Sequence, residues 1–78
     1  MDIPAEPRFD IGTRFVPVGR KSKAVHTVVD IWTTTNREGD VVRRRYVATH
    51  QAATGHIVID RDVTETTIAR GQLDNPAA

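Results

Sequence analysis

The central part of the sequence constrains the fold most strongly, because two runs of strand-forming residues flank a turn that fixes how the runs pair. Residues 25–35 and 41–50 are rich in β-branched side chains, which favour a pleated strand over a helix. Between the runs, Asn36 suits the first position of a type I turn, and Gly39 suits the left-handed position of a three-residue hairpin loop. The sequence therefore predicts a long β-hairpin.

The loop also predicts which residues lie opposite each other. With Asn36 opposite Asp40, counting outward assigns every pair, and alternate pairs share a face. One face, here named the Trp face, carries the pairs Thr34 with Val42, Trp32 with Arg44, Asp30 with Tyr46, Val28 with Ala48, and His26 with His50. The opposite face, the Val face, carries Thr35 with Val41, Thr33 with Arg43, Ile31 with Arg45, Val29 with Val47, and Thr27 with Thr49.

The Val face is the better candidate for the core, because burying the Trp face would place the Asp30 carboxylate in a small interior at a high cost in free energy. We therefore expect a core made of Phe15, Val29, Ile31, Val47, Ile57, Ile59 and Ile68. We expect Trp32, Arg44 and Tyr46 to be at least partly exposed. The alternative stays open that Trp32 and Tyr46 are the largest core residues, since both bury well when their polar tips find partners.

The length of 78 residues allows one small domain without a deep catalytic cleft. Cysteine is absent, which excludes disulfides, thiolate metal sites and a cysteine nucleophile. The first residues lack the basic start and apolar stretch of a signal peptide, and no apolar run approaches the ~20 residues that span a bilayer. We expect a soluble cytoplasmic protein with no membrane partner. We also expect a flexible arm over residues 1–8, one domain over 9–71 and a flexible tail over 72–78.

Shorter patterns on both sides of the hairpin predict the remaining elements. A strand near residues 13–16 ends at Pro17 or lies at an edge, because proline cannot donate to a ladder. Residues 56–60 predict a further strand, 61–65 a single turn, and 66–71 a last strand. Five short strands in so small a chain can curl into a barrel, which leaves no exposed edge. The predicted fold is all-β, a small five-stranded antiparallel barrel around the long hairpin.

This order of elements resembles the Src-homology-3-like small β-barrels, which also imply a one-turn helix before the last strand. The first strand carries the likeness in Gly12-Thr13-Arg14-Phe15. Several phrases are also similar to small bacteriophage and prophage proteins: Thr27-Val28-Val29-Asp30-Ile31, Gly39-Asp40-Val41-Val42, Arg45-Tyr46-Val47-Ala48-Thr49-His50 and Thr67-Ile68-Ala69-Arg70-Gly71. The resemblance covers roughly residues 9–71. It implies a bacterial or phage setting and brings no catalytic motif.

Positive charge is concentrated between residues 8 and 46, where nine Lys or Arg residues accompany four acidic ones, although the whole chain carries only +1. Basic side chains around aromatic rings favour nucleic-acid binding, since phosphates bind the charges and bases stack on the rings. The candidate stacking residues are Trp32, Tyr46 and Arg44. The candidate phosphate-binding residues are Arg14, Arg20, Lys21, Lys23, Arg37, Arg43 and Arg45.

Two other interpretations of this surface stay open. The near-neutral net charge and the phage-like phrases favour a small phage protein that binds and modulates a host protein, for example by inhibiting a defence or transcription component. Small barrels bind proteins through aromatic grooves as readily as they bind nucleic acid. The charges also fit a solvated surface without a partner. The sequence leaves the oligomeric state open.

Catalytic or metal chemistry has little support in the sequence. His26 and His50 lie opposite each other with Asp30 nearby, but two His residues are too few to close a metal site. Ser22 is the only serine and has no base beside it, which disfavours nucleophilic catalysis. The sequence also has an acidic cluster, Asp60, Asp62 and Glu65. Such a cluster is more typical of a turn and a helix cap than of metal ligands. We expect no cofactor, no metal and no enzymatic activity.

Overall fold

Five antiparallel strands and one short helix make up the part of the chain that the computed structural model describes, residues 3–19 and 23–73. The elements are β1 (Arg14–Val16), β2 (His26–Thr35), β3 (Val41–Gln51), β4 (Ile57–Val63), α1 (Glu65–Arg70) and β5 (Gln72–Leu73). They form one sheet in the order β4-β3-β2-β1-β5. The all-β antiparallel prediction is confirmed. The sheet is open, however, because β4 and β5 lie at opposite ends and form no ladder within the described residues, so the predicted barrel closure is not observed.

The turn between β2 and β3 has the predicted geometry. The Asn36 amide donates to the Asp40 carbonyl at 2.9 Å, and the Gly39 amide donates to the Asn36 carbonyl at 3.1 Å. Gly39 has a φ of 85°, the left-handed conformation that glycine adopts without steric cost. The Asn36 side chain also accepts hydrogen bonds from the amides of Glu38 and Asp40. The loop is therefore set by local chemistry, which explains why the sequence reveals it.

The register of the hairpin matches the prediction at both ends and differs in the middle. Val28 pairs with Ala48 near the base and Thr35 pairs with Val41 at the tip, as predicted. Two bulges displace everything between them by one residue, with Val29 as the extra residue on β2 and Val42 as the extra residue on β3. The central pairs are therefore Asp30 with Val47, Ile31 with Tyr46, Trp32 with Arg45, Thr33 with Arg44, and Thr34 with Arg43.

The bulge at Val29 resolves the problem that Asp30 posed for the core. In an unbroken ladder, Asp30 would share the core-facing side with Val28 and lie opposite Tyr46. The bulge turns Val29 and Asp30 outward in succession and brings Ile31 opposite Tyr46 instead. The carboxylate thereby stays in water while the aromatic ring is buried.

The core accordingly differs from the predicted one. It consists of Phe15, Val28, Tyr46, Ala48, Val63 and Ile68, with Phe9 and Ile31 packed against it. The predicted burial of Phe15, Ile68 and Val47 is confirmed, and Ile31 is half-buried. The predicted burial of Val29, Ile57 and Ile59 is wrong, because all three are exposed. The predicted exposure holds for Trp32 but is wrong for Arg44 and Tyr46, which are buried.

The C-terminal elements are the predicted kinds at shifted positions. The expected turn at 61–65 belongs largely to β4, and the expected strand at 66–71 is mostly α1, which follows the N-cap Thr64 and buries Ile68. The short helix before the last strand is therefore present. Gln72 of β5 pairs with Val16 of β1, so the sheet extends beyond residue 71. Among residues 3–19 and 23–73, no helix is long and apolar enough to cross a membrane.

Candidate binding surface

The three consecutive arginines of β3 divide between the two faces of the sheet, since side chains alternate along a strand. Arg44 is buried, whereas the side chain of Arg43 is 58% exposed and that of Arg45 is 32% exposed. Arg45 lies directly opposite Trp32, with its Cζ 5.8 Å from the centre of the indole ring. The sequence predicted that Arg44 would lie opposite Trp32. The bulge shifts the pairing by one residue, so Arg45 takes that place.

The indole of Trp32 is held in one orientation by a neighbour on the same strand. Its Nε1 donates to Asp30 Oδ2 at 2.8 Å, while Asp30 Oδ1 accepts from the Ile31 amide at 2.8 Å. Trp32 remains 45% exposed. The structure thus presents a large aromatic ring to solvent with its polar edge already hydrogen-bonded, an arrangement that can stack against a flat ligand at little entropic cost.

Asp62 of β4 lies close to both exposed arginines. Its Oδ1 is 3.6 Å from Arg45 Nη1 and 3.9 Å from Arg43 Nη2, and its side chain is 74% exposed. Exposed ion pairs of this kind contribute about 0–1 kcal/mol, so an incoming anion can replace the carboxylate. We use the name outer surface for Asp30, Trp32, Arg43, Arg45 and Asp62.

The other predicted phosphate-binding residues do not join this group. Arg14 lies on β1 opposite Thr27, about 17 Å along β2 from Trp32 at the usual rise per residue. Arg37 is exposed in the hairpin turn after β2, and Lys23 is exposed before β2. Arg20 and Lys21 lie outside the described residues. The structure therefore brings together Trp32, Arg43 and Arg45.

Arg44 has a different role from the predicted one. Its Nη1 donates to the carbonyls of Pro4 at 2.6 Å and Glu6 at 3.1 Å, and its Nη2 donates to that of Ala5 at 2.9 Å. Its Nε donates to Thr33 Oγ1 at 3.2 Å. The guanidinium thus fixes three consecutive residues of the N-terminal segment against β3. The mobility predicted for residues 1–8 stays a prediction, but residues 4–6 have defined contacts with the sheet.

Tyr46 and Glu65 continue this buried polar cluster. The Tyr46 hydroxyl donates to Glu65 Oε1 at 2.8 Å, and the same oxygen lies 3.8 Å from Arg44 Nη1. The Arg8 amide donates to Glu65 at 3.4 Å, and the Phe9 ring meets the Tyr46 ring edge-on with centres 6.2 Å apart. Burial, followed by the hydrogen bond to Glu65, raises the pKa of Tyr46 above its ordinary value.

Sequence reasoning missed this cluster because most of its acceptors are backbone carbonyls. A carbonyl carries no residue-specific signal, and Pro4 lies 40 positions from Arg44 along the chain. One hint was available: Arg44 shares strand parity with Tyr46 and Ala48, so burial of the Tyr46 ring implies an inward-facing Arg44. A buried arginine then requires acceptors to satisfy its donors.

His26 and His50 are opposed, as predicted, and their rings stack with centres 4.1 Å apart. The Phe15 ring lies 5.4 Å from the His26 ring, so the pair packs against the aromatic part of the core. Nowhere in residues 3–19 and 23–73 do three or more His, Cys, Asp or Glu side chains come together as a metal site. The stacked rings have a packing role here.

Comparison with known proteins adds no family to these observations. No protein-family model, no curated protein sequence and no solved structure is significantly similar to this chain. What the protein binds has to be inferred from its own surface.

Proposed function

We propose that this chain is a non-enzymatic nucleic-acid-binding module that binds through its outer surface. The observation that carries the proposal is the exposed indole of Trp32 facing Arg45, with Arg43 on the same strand. Aromatic rings beside arginines bind single-stranded nucleic acid by stacking on bases and pairing with phosphates. Arg44 and Tyr46 leave the proposed contact set, because both are buried in the N-terminal cluster.

Asp62 fits this proposal as an exchangeable partner of the two arginines. A phosphate that reaches Arg43 and Arg45 takes over ion pairs that contribute little stability in water. Asp30 and Asp62 balance the charges of Arg43 and Arg45, so the outer surface carries no net charge. We therefore expect modest affinity that falls with added salt, because phosphate contacts release counterions.

The fold family and the biological setting belong to the same proposal. The helix between β4 and β5, the pairing of β5 with β1 and the long β2–β3 hairpin support a Src-homology-3-like arrangement of strands. The phrases of the sequence that resemble phage and prophage proteins support a phage or prophage origin. Neither feature carries the binding proposal, which depends on the outer surface.

Fluorescence anisotropy of labelled single-stranded DNA and RNA tests the proposal at several salt concentrations. Trp32→Ala should weaken binding by about 1–3 kcal/mol, the usual contribution of one stacked base. The double variant Arg43→Ala/Arg45→Ala should also lower the slope of log K against log salt by roughly 1.4, since each single-strand phosphate contact contributes about 0.7.

A second double variant provides the matched control. Arg8→Ala/Arg70→Ala removes the same charge from exposed positions outside the outer surface, one beside Glu65 in the N-terminal cluster and one at the end of α1. In this control variant, Trp32→Ala should still weaken binding by the same amount as in the original chain. Absence of binding at low salt, or equal losses in the two double variants, would contradict the proposal.

A second candidate function is protein binding at the same hairpin, for instance to a host defence or transcription component. The observation that favours it is the exposure of Val29 and Val42, 43% and 52%, on strands that also present Trp32 and Arg45. Tryptophan and arginine beside apolar side chains are typical of protein-binding hot spots. Affinity capture from nuclease-treated bacterial lysate distinguishes the two functions. A partner that survives nuclease and is lost with Trp32→Ala supports protein binding, whereas recovery of nucleic acid alone excludes it.

A further inference from the structure

The start of β4 is an exposed apolar edge strand. Ile57 is 63% exposed, Val58 39% and Ile59 52%. Side chains of consecutive strand residues point to opposite faces, so both faces of the sheet are exposed here. In the described part of the chain β4 pairs with β3 alone, so its other side is open. Monomeric proteins usually protect such an edge with lysine, proline, a bulge or a covering element. This part of β4 contains neither lysine nor proline. The irregularity in the β3–β4 ladder lies further along, between the pairs Ala48 with Asp60 and Tyr46 with Val63.

The direction of the backbone groups follows from the ladder with β3. The Ala52 amide donates to the His56 carbonyl at 2.8 Å, which closes the loop between the two strands. Hydrogen-bonded pairs alternate along an antiparallel ladder, so Val58 and Asp60 direct their backbone groups to β3. Ile57 and Ile59 therefore direct their N–H and C=O groups to the open side.

We propose that β4 pairs with β4 of a second copy of this chain, antiparallel about a two-fold axis at Val58. In this register Val58 faces Val58 of the second copy, and Ile57 faces Ile59 of the second copy. Each Ile57–Ile59 pair exchanges both backbone hydrogen bonds, as a closely spaced antiparallel pair does. His56 then faces Asp60 of the second copy, which places an imidazole beside a carboxylate at both ends.

The neighbouring registers are less favourable for reasons visible in the sequence. An axis at Asp60 opposes two carboxylates, and like charges directly opposite destabilise a sheet. An axis at Ile59 places Ile57 against Arg61 of the second copy and Val58 against Asp60. An axis at Ile57 requires Ile59 to pair with Gly55, whose φ of 91° takes it out of the strand. Of these axes, only the one at Val58 pairs all three of Ile57, Val58 and Ile59 with apolar residues.

The expected dimer is weak, because one short edge strand from each copy gives an interface at the small end of the range for specific complexes. We expect a dissociation constant on the order of micromolar, or roughly −8 kcal/mol at standard state. Sedimentation velocity over a wide concentration range measures this association. Amide hydrogen exchange at the same concentrations locates it, and Ile57 and Ile59 should become protected as the dimer forms.

Val58→Lys provides the decisive variant, since it places two ammonium groups face to face on the axis. The dissociation constant should rise by about tenfold or more. Ile11→Lys is the matched control, because Ile11 is as exposed as Ile57 and lies before β1, outside the proposed interface. It should dimerise like the original chain. Both substitutions are at exposed positions, and circular dichroism verifies that each variant remains folded.

Substitution of His56 tests the register separately from the edge. His56→Lys should strengthen the dimer through the facing Asp60 of the second copy, and His56→Asp should weaken it. If the chain stays monomeric at every concentration, the proposal is wrong. The open edge of β4 is then available to a strand of another protein instead. Association that protects amides outside β4, or that Val58→Lys and Ile11→Lys weaken equally, also overturns it.

Discussion

At the scale of single residues, Tyr46 links the core to the N-terminal segment through a titratable group. Its ring is fully buried and its hydroxyl donates to Glu65, and both features favour the neutral phenol. The pKa of Tyr46 in the folded protein therefore lies above the ordinary value of 10.0. The stability that the neutral phenol contributes is fully present below pH 10 and is lost as the pH rises through the raised pKa.

Ultraviolet absorbance of tyrosinate tests this alkaline loss directly, since Tyr46 is the only tyrosine of the chain. We expect Tyr46 to ionise above pH 10 and the protein to unfold as it does so. Circular dichroism monitors the unfolding. Tyr46→Phe keeps the ring and removes the proton, so its stability should fall less steeply above pH 10. Ionisation at pH 10 with the fold intact would contradict the burial of this hydroxyl.

Arg44 shows why a charged residue can lie inside so small a domain. Its guanidinium presents donors in a planar fork, and three consecutive carbonyls match that fork. Such a charge is tolerated because its donors are satisfied, and it would be costly if they were not. Whether an arginine is buried thus depends on acceptors elsewhere in the chain, which local sequence patterns do not reveal.

At the scale of elements, the bulge at Val29 decides which side chains of the hairpin are buried. Val28 is fully buried whereas Val29 is 43% exposed, although the two are adjacent valines. Val28→Ala should lower the free energy of unfolding by about 2 kcal/mol, through lost transfer energy and a residual cavity. Val29→Ala should change it by less than about 0.5 kcal/mol. Urea unfolding of the two variants compares them, and the reverse order would place the bulge elsewhere.

The elements themselves were predictable where local chemistry decides them. Asn36 and Gly39 specify their loop through their own hydrogen bonds and φ angle, so the long hairpin and its end pairs were predicted correctly. The bulges were not, because a valine at a bulge has the same strand propensity as a valine in a ladder. Their positions follow from which residues the rest of the fold can bury. Without the bulge at Val29, burying the Trp face would have buried Asp30 too, so the Val face was chosen as the core and Arg44, Tyr46 and Val29 were misplaced together.

At the scale of the whole molecule, the N-terminal segment connects parts that are distant in sequence. Residues 4–6 bind Arg44 of β3, the Arg8 amide binds Glu65 of α1, and Phe9 packs on Tyr46. A domain that starts at residue 9, as predicted, would leave the buried guanidinium without its three carbonyl acceptors. We therefore expect residues 4–8 to belong to the folding unit.

A pair of truncated chains tests this role of the segment. A chain of residues 9–73 should be less stable than one of residues 3–73 by about 3–5 kcal/mol, the usual loss when one partner of a buried charge is removed. Since so small a domain has about 5 kcal/mol in total, much of the shorter chain should be unfolded in urea-free buffer. Circular dichroism and fluorescence of Trp32, the only tryptophan, report the folded fraction.

Arg44→Met in both truncated chains separates the clamp from a general effect of chain length. In residues 3–73 the substitution should destabilise, because the carbonyls of residues 4–6 lose their donor. In residues 9–73 it should stabilise, because an apolar side chain replaces a buried charge that has lost most of its acceptors. The opposite signs define a coupling free energy between Arg44 and the segment. If Arg44→Met has the same effect in both chains, the segment stabilises the fold by some route other than the guanidinium, such as the hydrogen bond from the Arg8 amide to Glu65.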